Sequence, residues 1–282
     1  MNPEDEALLC ARAAEWIYGS DTDQDGQRFC TSAMDGIGFK DLLWHNFITP
    51  LRDICVLAAT SDHYHILAFR GTKVPQDWMT DLACSKVGFE NIFPGTPALG
   101  DIHAGFGSCL APALMTIQRI LTRRSMSKPL LISGHSLGGA LAALVAVYFA
   151  VARPKVKVPE VRRIYTFGQP RIGVEKFCTT YGRFVLGKLV RFVNNRDLVP
   201  RVPLRSQMFA DGGTMIHFDS SGAPRTESAE WNDFLKLPFG TIGEVLDMIA
   251  TGKDGIADHS MQSYRELIEQ NQSRLAVLLP KL

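Results

Sequence analysis

Apolar and polar positions follow two periods along this chain, and each change of period marks an element. Leu8, Leu9, Ala11, Ala14, Ile17 and Tyr18 recur at helical spacing, which predicts an opening helix followed by a polar turn over 20–27. Two apolar runs, 54–60 and 64–69, flank Ser61-Asp62-His63 and read as a hairpin of strands. Residues 71–100 are irregular, with Trp78, Met79, Phe89, Ile92 and Phe93 set among glycines, prolines and charges. A helix is expected next, its apolar face carrying Phe106, Leu110, Leu114, Ile117 and Leu121. Leu130-Leu131-Ile132, bounded by Pro129 and Gly134, suits a strand buried on both faces.

Beyond it the pattern predicts a helix over 137–152, a strand over 163–167, a helix over 174–181 and a strand over 188–193. Such alternation implies βαβ units and a mostly parallel sheet. Residues 204–257 are less regular, with a hairpin expected across 215–218 and 225–226, and an amphipathic helix over 261–279 closes the pattern. No repeat, low-complexity tract or linker-like shift interrupts it, so a single domain over 1–282 is expected.

Composition narrows the class. The 282 residues are 46% hydrophobic and 21% charged, which suits a folded chain with a sizeable core and excludes disordered and collagen-like classes. Lys+Arg 30 against Asp+Glu 29 leaves a net charge of +1, with no basic stripe, so no nucleic-acid partner is expected. Cys10, Cys30, Cys55, Cys84, Cys109 and Cys178 form no Cys-x-x-Cys pair, which removes the usual zinc and redox spacings. Their even count permits three disulfides, but a core of this size does not need them, and buried thiols are expected. Asp21-x-Asp23-x-Asp25-Gly26 opens like a calcium loop, yet Ser32 stands where the bidentate glutamate belongs, so a solvated loop and no metal are expected. The opening residues 1–6 are acidic where a signal peptide is basic, and the longest apolar block is about 13 residues against the ~20 that span a bilayer. The expectation is a soluble chain, cytoplasmic or exported by a leader-independent or removed-leader route.

The strongest chemical signal is Ile132-Ser133-Gly134-His135-Ser136-Leu137-Gly138-Gly139-Ala140. Gly134-x-Ser136-x-Gly138 between an apolar strand and an alanine-rich helix is the nucleophile-elbow pattern. A serine oxygen that projects from a strand end needs a tight turn into a helix, and glycines two positions either side relieve the crowding. The helix aims free N–H groups at a developing oxyanion. A phosphate loop would need a lysine after the glycines, and none follows. Beyond Ser136 the histidines are His217, inside an apolar strand pattern, and His259, between a loop and a helix; His259 is the expected base. Asp197 follows the strand over 188–193 and is the expected acid. By chain order alone Asp211, Asp219, Asp233, Asp247, Asp254 and Asp258 are rivals, and His135 is read as local packing.

Several segments together resemble the class 3 lipase family of the α/β-hydrolase superfamily. They are Ala68-Phe69-Arg70-Gly71-Thr72, Asp77-Trp78-x-Thr80-Asp81-Leu82, His103-x-Gly105-Phe106, the elbow, Thr166-Phe167-Gly168-Gln169-Pro170-Arg171-Ile172-Gly173, Phe192-Val193-Asn194-Asn195-x-Asp197-x-Val199-Pro200 and Asp258-His259-x-x-x-x-Tyr264. The resemblance implies an α/β-hydrolase fold with Ser136, Asp197 and His259 as a triad. It also implies that Thr72 and the Leu137 N–H form the oxyanion hole, and that a lid over 73–97 follows Thr72. Trp78, Met79, Phe89, Ile92 and Phe93 would be the lid's apolar contacts.

The implied activity is triacylglycerol ester hydrolysis at a lipid–water interface through an acyl-enzyme, with no metal or organic cofactor. A phospholipase, an esterase of feruloyl or other soluble esters, and a non-catalytic binding module are the alternatives. The poor match of 204–257 leaves acyl preference open.

Overall fold

The computed structural model describes residues 1–20, 24–47, 49, 53–72, 85–153, 155–185, 187–236 and 257–281. Helix α1 (Pro3–Trp16) starts on a proline and an acidic first turn, both suited to a helix N-terminus, and buries Ala7, Cys10, Ala11 and Ala14. A 3-10 turn (Ile17–Ser20) continues it, and α2 (Gln24–Gly36) follows. Next come strands β1 (Lys40–Phe47), β2 (Ile54–Thr60), β3 (His65–Phe69) and β4 (Lys86–Gly88), then the single turn α3 (Phe89–Ile92). Strand β5 (Asp101–His103) runs into α4 (Ala104–Thr122), and β6 (Leu130–His135) into α5 (Leu137–Ala152). Strands β7 (Val161–Phe167) and β8 (Gly173–Val174), helix α6 (Glu175–Gly182) and strand β9 (Leu189–Asn194) complete the alternating part. Strands β10 (Phe209–Ala210), β11 (Thr214–Phe218) and β12 (Pro224–Arg225) and helices α7 (Ala229–Lys236), α8 (Met261–Gln270) and α9 (Gln272–Leu278) finish the described chain.

The main sheet has the order β1-β2-β3-β6-β7-β9-β11-β12. Its central pairings, from β3 through β6, β7 and β9 to β11, are parallel, and the flanking ones are antiparallel. A second sheet, β10-β8-β5-β4, sits with α3, α4 and α6. Side chains of a strand alternate between faces, and β6 displays this directly. Leu130 and Ile132 join the core under α4 and α5, whereas Leu131 joins the core under α1 and α8. Burial on both faces explains the uninterrupted apolar run. All parallel strands point the same way, so the ends of β3, β6, β7 and β9 share one rim.

The face under α1 and α8 also carries charge. Glu6, fully buried, pairs with Arg163 at 3.1 Å and with Arg162 at 2.6 Å. The Arg163 guanidinium donates to the Pro280 carbonyl, and two residues along β7 the Tyr165 hydroxyl donates to the Pro3 carbonyl at 2.8 Å. Arg12–Glu269 and Arg265–Glu15 pairs tie α1 to α8 at the surface.

Several elements depart from the sequence expectation. Helix α2 replaces part of the expected polar turn, because only Cys30 and Met34 of its described side chains face the core, too few to mark a period. Strand β1 is an edge strand with mostly exposed or half-exposed side chains and a bulge near Asp41 at φ 53, so it lacks a clean alternation. The closing helix is broken at Asn271, whose side-chain amide donates to the Leu267 and Gly222 carbonyls. Arg124, just past the end of α4, donates to the Thr60 hydroxyl and to the Asp41 and Ala58 carbonyls. Cys10, Cys30, Cys55, Cys109 and Cys178 are buried thiols, and Cys84 lies outside the described residues. Among the described residues no helix is long and apolar enough to cross a membrane.

Candidate active site

Ser136 links β6 to α5 with φ 57 and ψ −127, a left-handed conformation that a side chain adopts only under constraint. The constraint is visible at its neighbours. A Cβ on Gly134 would fall 2.2 Å from the Gly138 carbonyl oxygen, and one on Gly138 would fall 2.2 Å from the Phe69 carbonyl oxygen. The turn therefore closes tightly on itself and on the end of β3. The Ser136 N–H donates to the Phe167 carbonyl at 2.9 Å, which pins the elbow to β7. The Ser136 hydroxyl is buried and has no hydrogen-bond partner among the described residues. Leu137 opens α5, so its N–H has no acceptor within the helix.

Asp197 lies just past β9 and is fully buried. One carboxylate oxygen accepts the Val199 N–H at 2.9 Å. The other accepts the His259 Nδ1–H at 2.8 Å and the Tyr264 hydroxyl at 2.6 Å. The Tyr264 oxygen accepts the Asn194 N–H at 3.0 Å, and burial followed by the Asp197 charge keeps its phenol protonated. With Nδ1 donating to a carboxylate, a neutral His259 keeps its lone pair on Nε2. Among the described residues that nitrogen is buried and has no partner. The fold thus holds a buried serine hydroxyl that lacks an acceptor and a buried imidazole nitrogen that lacks a donor among the described residues.

Three further residues set this geometry. Gly168, at φ 57, packs so closely that a Cβ would lie 2.7 Å from the His259 ring and 2.8 Å from the Asp197 carboxylate. Asp258 accepts from the Asn195 side chain at 3.0 Å and the Arg196 N–H at 3.1 Å, while its carbonyl accepts from Asn194 at 2.9 Å. It grips the backbone that carries His259 and leaves the ring to Asp197. His135, expected as local packing, bridges two distant segments: its Nε2 lies 2.8 Å from the His259 carbonyl and its Nδ1 2.7 Å from the Tyr18 hydroxyl. Gly168 and Tyr264 stand in matched motifs, but spacing alone gave no sign of their contacts.

The end of β3 passes beside Ser136. A Cβ on Gly71 would sit 3.2 Å from the Ser136 Cβ, and the next residue, Thr72, has a buried hydroxyl without a partner among the described residues. The rival carboxylates are engaged elsewhere. Burial alone would raise the Asp211 pKa, but Arg191, Arg171 and Arg205 hold it well below the usual carboxylate range. Asp219 is bound to Ser221, Ala223 and Arg225, Asp233 pairs with Lys236 at the surface, and Asp247 and Asp254 lie outside the described residues. Among the described residues His217 meets no carboxylate; its Nε2 meets the Asn195 carbonyl and its ring packs on Trp231.

The expected lid contacts divide. Trp78 and Met79 lie outside the described residues. Phe89 and Phe93 are core residues packed against each other, Phe177 and Tyr148, and Ile92 packs on the same core. These rings interrupt a polar stretch because β4 and α3 face the core on one side only. Asp21, Asp23 and Asp25 carry no described side chains, and among the described residues no group of three metal-ligating side chains converges. A cavity of about 1020 Å³ is lined by Lys86, Lys176, Arg205, Asp101, Glu175 and Asp211 among others and contains none of Ser136, Asp197 or His259.

Comparison with known proteins bears on this arrangement. The family model described as Lipase (class 3) matches residues 66–207, just over half of the chain. A triacylglycerol lipase of Ricinus communis is 34% identical over 113 residues, covering 38% of this chain and 21% of that protein. Phospholipase A1-II 3 of Oryza sativa subsp. japonica is 26% identical over 229 residues, covering 71% of this chain and 54% of that protein. The chain thus spans less than two thirds of the length of either. The crystal structure of a lipase from Rhizopus microsporus var. chinensis aligns with a TM-score of 0.61 at 23% identity, over 86% of this chain and 83% of that one.

Proposed function

Because the chain belongs to the class 3 lipase family and has the α/β-hydrolase fold, we propose that it is a carboxylic ester hydrolase acting on lipid esters, with Ser136 as nucleophile, His259 as base and Asp197 as the orienting acid. The observation that carries this reading is the buried Asp197–His259 bond, which leaves the His259 Nε2, like the hydroxyl of the elbow Ser136, buried and without a partner among the described residues. In the reaction Ser136 attacks the ester carbonyl while His259 takes the hydroxyl proton, and Asp197 holds the imidazole tautomer. The oxyanion rests on the backbone N–H groups of Leu137 and Thr72, each worth about 3 kcal/mol of barrier. The proton on His259 then passes to the leaving alcohol. Water, deprotonated by the same nitrogen, releases the acid from Ser136.

A lipid substrate is favoured over a soluble ester by the family and by Trp78 and Met79 among the charges of the expected cover, the setting being a lipid–water interface. One relative named as a phospholipase A1 favours phospholipid as the second reading. Neither reading calls for a metal or organic cofactor. Fluorophosphonate labelling of wild type, lost in Ser136→Ala together with about 10⁴-fold or more in kcat, tests the triad. Triacylglycerol and phosphatidylcholine assayed side by side separate the two substrates. Absence of labelling in folded wild type would instead fit a binding module.

A further inference from the structure

His135 has the buried, two-ended engagement of a bridge. A backbone carbonyl only accepts, so the 2.8 Å contact to the His259 carbonyl places a proton on the His135 Nε2. The neutral ring then accepts at Nδ1, where the Tyr18 hydroxyl donates at 2.7 Å. The Tyr18 oxygen in turn takes a backbone hydrogen bond from Gly71, the residue before Thr72. Donors and acceptors thus run from the end of β3, through Tyr18 and His135, to the backbone of the base, with each bond polarising the next. The packing is equally close: a Cβ on Gly71 would lie 2.4 Å from the Tyr18 oxygen and 2.6 Å from the His135 carbonyl. The His135 ring stands 4.5 Å from the His259 ring, centroid to centroid, with Tyr18 and Tyr264 edge-on at 5.7 and 6.1 Å.

We propose that Tyr18 and His135 are positioning residues, which set the spacing between the oxyanion segment at Gly71–Thr72 and the base loop at His259 through this one hydrogen-bond chain. The proposal rests on the ester-hydrolase reading of the same site. It gives the N-terminal segment a part in the chemistry, although Tyr18 lies outside the residues that the family model matches. It also explains why the bridge is a histidine. Burial first, and then His259, hold the His135 pKa well below its ordinary value, so the bridge stays uncharged beside a ring that becomes cationic in the reaction. A lysine or arginine there would oppose that charge.

The test uses the full chain, a water-soluble p-nitrophenyl ester and a fluorophosphonate probe. Tyr18→Phe keeps the ring contacts and removes the hydroxyl; kcat should fall about tenfold while KM stays within about twofold, the mark of a misplaced catalytic group. His135→Gln keeps a donor where Nε2 stood, and His135→Asn keeps only the acceptor facing Tyr18, so the Gln variant should retain several-fold more kcat. Isotope-labelled imidazole spectra should show His135 as the Nε2–H tautomer in both wild type and Tyr18→Phe, with the Nδ1 resonance shifted in the variant because its donor is gone. If wild type turns over and labels, and Tyr18→Phe matches it in kcat and in Nδ1 shift, the inference fails and the hydrolase reading stands. If Tyr18→Phe does not fold, equal kcat in the two His135 variants overturns it. If folded wild type neither turns over nor labels, the reading beneath it fails as well.

Discussion

Tyr264 donates its phenolic proton to Asp197 at 2.6 Å, onto the very oxygen that holds the His259 ring. The carboxylate is fully buried, and a buried charge persists only when several donors stabilise it. Val199 N–H, Tyr264 O–H and His259 Nδ1–H supply three, and the Tyr264 oxygen also satisfies the Asn194 N–H at the end of β9. One phenol thus links helix α8, strand β9 and the Asp197 carboxylate.

Tyr264→Phe removes that link without opening a cavity. Loss of a charge-assisted bond and an orphaned Asn194 N–H should cost about 1–3 kcal/mol of stability. The kcat should fall by about tenfold as the carboxylate loses its second anchor. Urea unfolding and steady-state kinetics on one soluble ester read both, and an unchanged unfolding midpoint would refute the anchoring role.

Gly168→Ala tests the close approach. The added methyl would stand 2.7 Å from the His259 ring, and φ 57 strains any side chain. Displacement of the imidazole by even 1 Å is expected to lower kcat by about 100-fold. Circular dichroism should remain that of a folded chain, so that the loss is traced to geometry.

Acid should destabilise the fold before the carboxylates titrate. Burial lowers the His103 pKa from 6.5 to about 4, and it lowers those of His65, His135 and His217 in the same direction. Between these values the unfolded chain binds the proton and the folded chain does not. Stability is therefore complete above about pH 6.5 and is lost as pH falls toward 4, with His103 contributing about 3 kcal/mol. His103 accepts the Phe106 N–H at the start of α4, a role asparagine can fill. Urea midpoints between pH 7 and 4.5 should show a shallower acid decline in His103→Asn, and an identical decline would exclude His103 as a source.

Glu6→Ala leaves Arg163 buried with its charge uncompensated and should cost about 3–5 kcal/mol. The exposed Arg12–Glu269 pair, by contrast, should contribute less than about 1 kcal/mol. Denaturant unfolding of Glu6→Ala beside Arg12→Ala measures the difference, and equal midpoints would contradict the burial argument.

What was legible in the chain and what was not separate along a physical line. Local signals were readable: the elbow glycines, the strand buried on both faces at Leu130–Ile132, and the alternation that implies a parallel sheet. Asp197 was separable from its rivals because a clear strand precedes it. Contacts across the fold were not readable. His135 meets partners 117 and 124 residues away, and no period or spacing encodes such a bridge. Phe89 and Phe93 looked like an interfacial cover because their polar neighbours hide a core-facing side. Strand β1 escaped notice because an edge strand with two wet faces has no reason to alternate.

The anchoring of Pro3 and Pro280 by Tyr165 and Arg163, alternate residues of β7, has a further corollary. Arg163 serves both segments, since it pairs with Glu6 of α1 and donates to the Pro280 carbonyl. Peeling either segment from the sheet would therefore admit water to the same buried charge, so the two are expected to loosen together rather than one at a time.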